Sequence, residues 1–328
     1  MNNIIEWLLE GPSWVQYHTL VDLLDQPGDS PDAIEARQQM ILAPQIEGVI
    51  ADLADYPSPA LKSHKSAGHP LHKLTFLVDI GLNANDPGMA AIIDRIFAHS
   101  SPEGPFNILV NIPRHFGGSG EDEFSWMLCD APLPVYALIQ LGLENDKRVQ
   151  RALTYLTGLV RSNGWPCAAA PSFGKFRGPG RASDPCPYAN LVMLKALAAS
   201  PSDSSLDACR TGAETLLSLW TNSRDLHPYL FHMGNNFRKL KAPMIWYDIL
   251  HVFDVLTRFS WLQEDPRLIE MADVITTKAD LNARFTPESI WMAWKGWDFG
   301  QKREPSRWMT LLVHRALKRM NLSIKSPN

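Results

Sequence analysis

Apolar residues return every three to four positions in six stretches: "SWVQYHTLVDLL", "HKLTFLVDIGL", "LPVYALIQLGL", "YANLVMLKALAA", "MIWYDILHVFDVLTRF" and "RWMTLLVHRALKRM". That spacing predicts six long apolar helices, and the near absence of two-residue alternation predicts a mainly helical chain with few strands. A proline precedes each helix: Pro12, Pro70, Pro132, Pro187, Pro243 and Pro305. Proline suits a first helical turn because the amide proton it lacks would have no intrahelical partner there. Successive prolines are 55 to 62 residues apart, a recurrence that predicts a repeat architecture with a period of about 58 residues.

More polar helical stretches lie between the apolar ones. "DPGMAAIIDRIFAHS", "DKRVQRALTYLTGLV" and "DPRLIEMADVITTKA" open on Asp86, Asp146 and Asp265. An apolar helix followed by an amphipathic one predicts an inner and an outer layer. Short aromatic elements follow the polar helices: "EGPF" at Glu103, "NGWPC" at Asn163 and "ARFTPES" at Ala283. The expected fold is all-α, an (α/α)6 toroid of six helical hairpins forming one domain over residues 1–328. An open superhelix of HEAT type is the alternative, with shorter periods and no need for the Gly-aromatic element.

The run "NGWPC…GPGRASDPCPYANLVMLKAL" resembles the repeat of the protein prenyltransferase β subunits and of the squalene and terpenoid cyclases: a Gly-aromatic element, a loop rich in Gly and Pro, then an inner helix. The resemblance extends over the repeat pattern from about Pro12 to Met320. It implies a closed toroid with its chemistry at the starts of the inner helices. In the cyclases an acidic motif there supplies a proton. Asp130 matches its last acid, while Cys129 stands where the donor would be. In the prenyltransferases an Asp-x-Cys pair supplies two zinc ligands, which Asp184 and Cys186 match. The family's third ligand, a His at the next inner helix, falls near Pro243, and Asp248 and His251 follow one to two turns deeper. No cofactor is otherwise expected.

Composition narrows the class. The chain has 328 residues, 45% of them apolar, which leaves no reason to invoke disorder. A net charge of −4 argues against a surface built for nucleic acid. No run reaches the roughly 18 apolar residues of a membrane span, and "MNNIIEWLLEGPSW" lacks a basic segment followed by a long apolar one. Four cysteines, Cys129, Cys167, Cys186 and Cys209, are too few for a disulfide scaffold and point to reduced thiols in a cytoplasm.

Local charge departs from the overall balance. The segments before four inner helices carry Lys62, Lys65, Lys175, Arg177, Arg181, Arg238, Lys239, Lys241, Lys295, Lys302, Arg303 and Arg307, against only Asp184, Asp298 and Glu304. Cations beside helix N-termini suit an anion, with Arg181, Lys241, Arg303 and Arg307 as candidate contacts; scattered surface charges are the alternative. The third such segment, "GEDEFSWMLCDAP", is acidic instead. There Asp130 fits either a catalytic acid or a helix cap ahead of Pro132. Before the fourth inner helix, Asp184 or Ser183 is placed to cap. Asp248 and His251, three residues apart on the next inner helix beside Tyr247, fit a carboxylate orienting a general base or a polar contact between helices. Trp126, Trp165 and Trp246 are candidate ligand-stacking rings, and Trp291, Trp294, Trp297 and Trp308 share their neighbourhood; each could equally be core.

These features predict binding or transformation of an isoprenoid-like small molecule with an apolar body and an anionic head. A carbohydrate-active toroid using Asp130 and Asp248, and a non-catalytic scaffold, are the alternatives. Whether the chain is an enzyme is left open by sequence.

Overall fold

The computed structural model describes residues 2–173, 180–200 and 205–323. Thirteen α-helices lie among them: α1 (Asn2–Leu9), α2 (Ser13–His18), α3 (Pro31–Ile41), α4 (Pro44–Ala51), α5 (Pro70–Asp79), α6 (Met89–Ala98), α7 (Pro132–Leu138), α8 (Lys147–Thr157), α9 (Pro187–Ala198), α10 (Leu206–Thr221), α11 (Ile249–Leu256), α12 (Pro266–Thr276) and α13 (Arg307–Arg319). Two four-residue strands, β1 (Ile108–Asn111) and β2 (Asp122–Ser125), pair antiparallel with Ile108 opposite Ser125. The hairpin falls partly within "GEDEFSW", where no strand is expected from the sequence; four residues carry too little alternation to register. Contacts divide the chain into two compact units, residues 1–48 with 233–328, and residues 49–232.

The second of these, unit 2, has α5, α7 and α9 as its buried helices, with α7 packed between the other two. All three begin on the expected prolines, Pro70, Pro132 and Pro187. Amphipathic α8 and α10 pack against α9, which gives the inner and outer layering within this unit. Asp146 caps α8 by accepting the Arg148 N–H at 2.8 Å, as its place in the sequence suggests. A buried clamp ties the three inner helices together. Lys195 Nζ of α9 donates to Asp79 Oδ2 of α5 at 2.9 Å, and Tyr136 Oη of α7 donates to the other oxygen at 2.6 Å.

The Gly-aromatic element fixes the start of α9. Gly164 has φ +104°, and a Cβ there would collide with Thr215 Oγ1 and Asn190 Oδ1. Trp165 then donates its backbone N–H to Asn190 Oδ1 at 3.0 Å, and its carbonyl accepts from Asn190 Nδ2 at 3.0 Å and from the Cys186 N–H at 2.8 Å. A Cβ on Gly212 of α10 would likewise strike the Trp165 ring, so outer helix and indole meet at glycine contact. Trp165 thereby positions Cys186.

Unit 1 packs α13 against α1, α2 and α11, and α11 against α12. One sequence expectation is corrected here. The fifth inner helix starts at Ile249, not near Pro243, because Asp248 adopts an extended backbone and caps it by accepting the His251 N–H. The sixth starts at Arg307, as its apolar period predicts, with Ser306 as cap and Pro305 preceding it. Asp265 caps α12 through the Arg267 N–H. Buried Asp254 of α11 accepts from Arg258 at 2.7 Å, from Arg319 at 3.0 Å and from Arg315 at 3.4 Å, and Arg315 reaches on to Asp22 at 3.2 Å.

Candidate functional site

The segments preceding α5, α7 and α9 meet in unit 2, and their side chains build the densest chemistry among the described residues. His64 precedes α5, Cys129 and Asp130 precede α7, and Cys186 caps α9. His64 Nδ1 lies 2.7 Å from Asp130 Oδ1. The His72 ring nitrogen Nε2 is 2.9 Å from the His64 carbonyl, and His69 caps α5 through the Leu71 N–H, so two neighbouring imidazoles hold the His64 loop. Asp130 is fully buried, and its Oδ2 has no hydrogen-bond partner. The Tyr56 hydroxyl is also buried without a partner, and burial together with the Asp130 charge pushes it well above its ordinary range.

Burial by itself would lower the His64 pKa. The Asp130 charge and hydrogen bond, helped by Cys186, outweigh it, so the imidazole is raised above its ordinary value near 6.5. Its side chain is 27% exposed while Asp130 is sealed. The pair therefore turns the imidazole ring toward solvent with the carboxyl group buried behind it.

The thiols complete the cluster. Cys186 Sγ is 3.5 Å from Cys129 Sγ and accepts the Ala189 N–H at 3.5 Å. The thiol, not Asp184 or Ser183, is the cap of α9. Cys167, from the Gly-aromatic element, is a third thiol that acts on the acidity of both others. The thiols of Cys129 and Cys167, the Ala189 N–H and the nearby His64 charge pull Cys186 well below an ordinary thiol against the effect of burial. The other two thiols, with burial, push Cys129 up.

Zinc at Asp184 and Cys186 is implied by the family resemblance. Asp184 is half-buried, and its carbonyl accepts from Tyr229 Oη at 3.3 Å. Among the described residues no group of three or more His, Cys, Asp and Glu side chains is placed to hold a metal ion.

In unit 1 the expected Asp248 and His251 pair takes a different form. The Asp248 carboxylate accepts the His251 backbone N–H at 3.0 Å, while His251 Nδ1 lies 3.0 Å from the Trp246 carbonyl. Asp248 is therefore a helix cap and does not orient the imidazole. Burial raises its pKa to about 7, with the His251 and Leu250 N–H groups and the Lys241 charge only partly opposing. Asp248 Oδ2 has no hydrogen-bond partner. Lys241 Nζ stands 3.1 Å over the Trp291 ring, and the buried Tyr247 ring packs on Phe237 at 5.0 Å.

The remaining candidates are spread out. Trp126 and Trp165 are buried; their indole N–H groups bond to Glu103 Oε2 at 3.5 Å and to the Leu156 carbonyl at 3.0 Å. Trp246 is half-buried. Arg181 is exposed and lines an open groove of about 870 Å³ with Asp184, Arg210 and Glu214. Arg303 is exposed, and Arg307 pairs with Glu10 at 3.4 Å and lies over the Trp7 ring. Lys175 and Arg177 lie outside the described residues.

Sequence reasoning missed His64, Cys129 and Cys167 as partners of Asp130 and Cys186. The available signal was three histidines, His64, His69 and His72, within nine residues at the start of an inner helix.

No family model and no curated protein matches the chain. Among solved structures, the chain is similar to a protein from Actinoplanes at 12% identity with a TM-score of 0.42, over 94% of this chain and 90% of that one. Among the described residues no helix is long and apolar enough to cross a membrane.

Proposed function

We propose that the chain is an enzyme of the (α/α)6 toroid class, resembling the terpenoid cyclases and prenyltransferases, that acts on an isoprenoid-like molecule with an anionic head. The observation that carries the reading is the His64–Asp130 pair at 2.7 Å in front of two buried helices. A partly exposed imidazole with a raised pKa is suited to donate a proton, and a buried carboxyl group holds the direction of the ring. Lys62 and Lys65 flank His64 in sequence and are exposed, which supports an anionic head at that end of the ligand. Arg181, exposed in the same unit, is a further head-group contact in this reading. A small-molecule ligand, no nucleic-acid partner and a reducing cytoplasm belong to the same proposal; all four cysteines are free.

Titration calorimetry with geranylgeranyl diphosphate and with geranylgeraniol tests it. The diphosphate is expected to bind, and Arg181→Glu with Lys62→Glu to weaken it at least about tenfold, since a charge-assisted contact contributes roughly 1.5–3 kcal/mol. The alcohol should respond little to charge reversal. Binding of neither compound, alongside binding of an acidic oligosaccharide, contradicts the proposal.

A further inference from the structure

Cys129 and Cys186 come from different helix starts, yet their sulfurs touch at 3.5 Å. Both are buried, and Cys186 caps α9 while Cys129 lies in the segment before α7. Two sulfurs in contact from separate segments are placed to close a bond when a small peroxide oxidises one of them. We propose that Cys129 and Cys186 form a reversible dithiol–disulfide centre, oxidised by hydrogen peroxide, that ties the start of α7 to the start of α9.

The chemistry balances. The Cys186 sulfur, as it gives up its proton, attacks one peroxide oxygen; the S–O bond forms as the O–O bond breaks, and the departing hydroxide takes up that proton to leave as water. Cys129 sulfur then attacks the sulfenic sulfur. The S–S bond forms, the S–O bond breaks, and hydroxide leaves with the Cys129 proton as a second water. Two thiols lose two electrons and the peroxide gains them. A small-molecule dithiol reverses the step.

Oxidation joins the segment before α7 to the cap of α9 and weakens the sulfur cap on the Ala189 N–H.

The test is peroxide treatment of the full-length native protein, followed by alkylation under denaturing conditions, intact mass and peptide mapping. The expected result is loss of two alkylatable thiols, a fall of about 2 Da, and a Cys129–Cys186 cross-linked peptide that dithiothreitol removes. Cys167→Ser should retain the cross-link, and Cys129→Ala should lose it while stopping at the sulfenic acid, trapped by dimedone. The wild-type map stands alone if Cys129→Ala does not fold. A cross-link involving Cys167 or Cys209, or thiols that resist peroxide and copurify with one equivalent of zinc, overturns the proposal.

Discussion

Asp130 in unit 2 and Asp248 in unit 1 are the same residue type in nearly the same place, just before a buried apolar helix, and they do different work. Asp130 finds an imidazole 2.7 Å away from a segment 66 residues distant, and the charge of the pair is shared. Asp248 finds only backbone N–H groups and a more remote Lys241, so burial dominates and its carboxyl stays protonated up to about pH 7. Burial supplies the cost in both cases, and the partner decides whether it is met by pairing or by taking up a proton. The two centres share a sign. Each holds a proton more tightly in the fold than in the open chain, so each loses stability as pH rises, Asp248 between about 4 and 7 and His64 on passing through its raised value above 6.5.

The clamps beneath these centres differ as well. Unit 2 relies on Lys195 and Asp79, whereas Asp254 in unit 1 faces three guanidiniums, of which those of Arg258 and Arg319 are partly exposed. Removing a partner is therefore most costly in unit 2. Asp79→Ala, which strands the fully buried Lys195 ammonium, is expected to cost roughly 3–5 kcal/mol in urea denaturation. Asp248→Asn keeps a capping side chain and abolishes the proton uptake. It is expected to flatten the pH dependence of stability between about pH 4 and 7 and to stabilise the protein by up to about 4 kcal/mol above pH 7. If the variant retains the wild-type slope, Asp248 does not titrate as described. Gly164→Ala forces a Cβ into Thr215 and Asn190 and should cost roughly 1–3 kcal/mol. Because Trp165 positions Cys186, it should also change the Cys186 alkylation rate, whereas a purely local strain would leave that rate unchanged.

Much of unit 2 was legible in the sequence because local signals agreed there. Proline starts, apolar periodicity and the Gly-aromatic element all placed α5, α7 and α9 correctly. In unit 1 the stretch from Met244 to Tyr247 is as apolar as a helix, and periodicity could not reveal that Asp248 would take the cap and start the helix later. The acid Asp130 was legible as a candidate, but its partner was not. His64 lies in a loop without period, and what joins them is the packing of α5 on α7, a long-range fact that spacing along the chain does not encode. Cys186 was legible as an oddity at a helix start; its sulfur partner Cys129 comes from the segment before α7, 57 residues away.

The account rests most directly on His64, and proton NMR titration of its ring measures it. The wild-type imidazole is expected to titrate above 6.5, and Asp130→Asn should lower its pKa, because the carboxylate charge that outweighs burial is then gone. A His64 that titrates at or below 6.5 in the wild type and does not move in Asp130→Asn would contradict the pairing and the acid–base chemistry built on it.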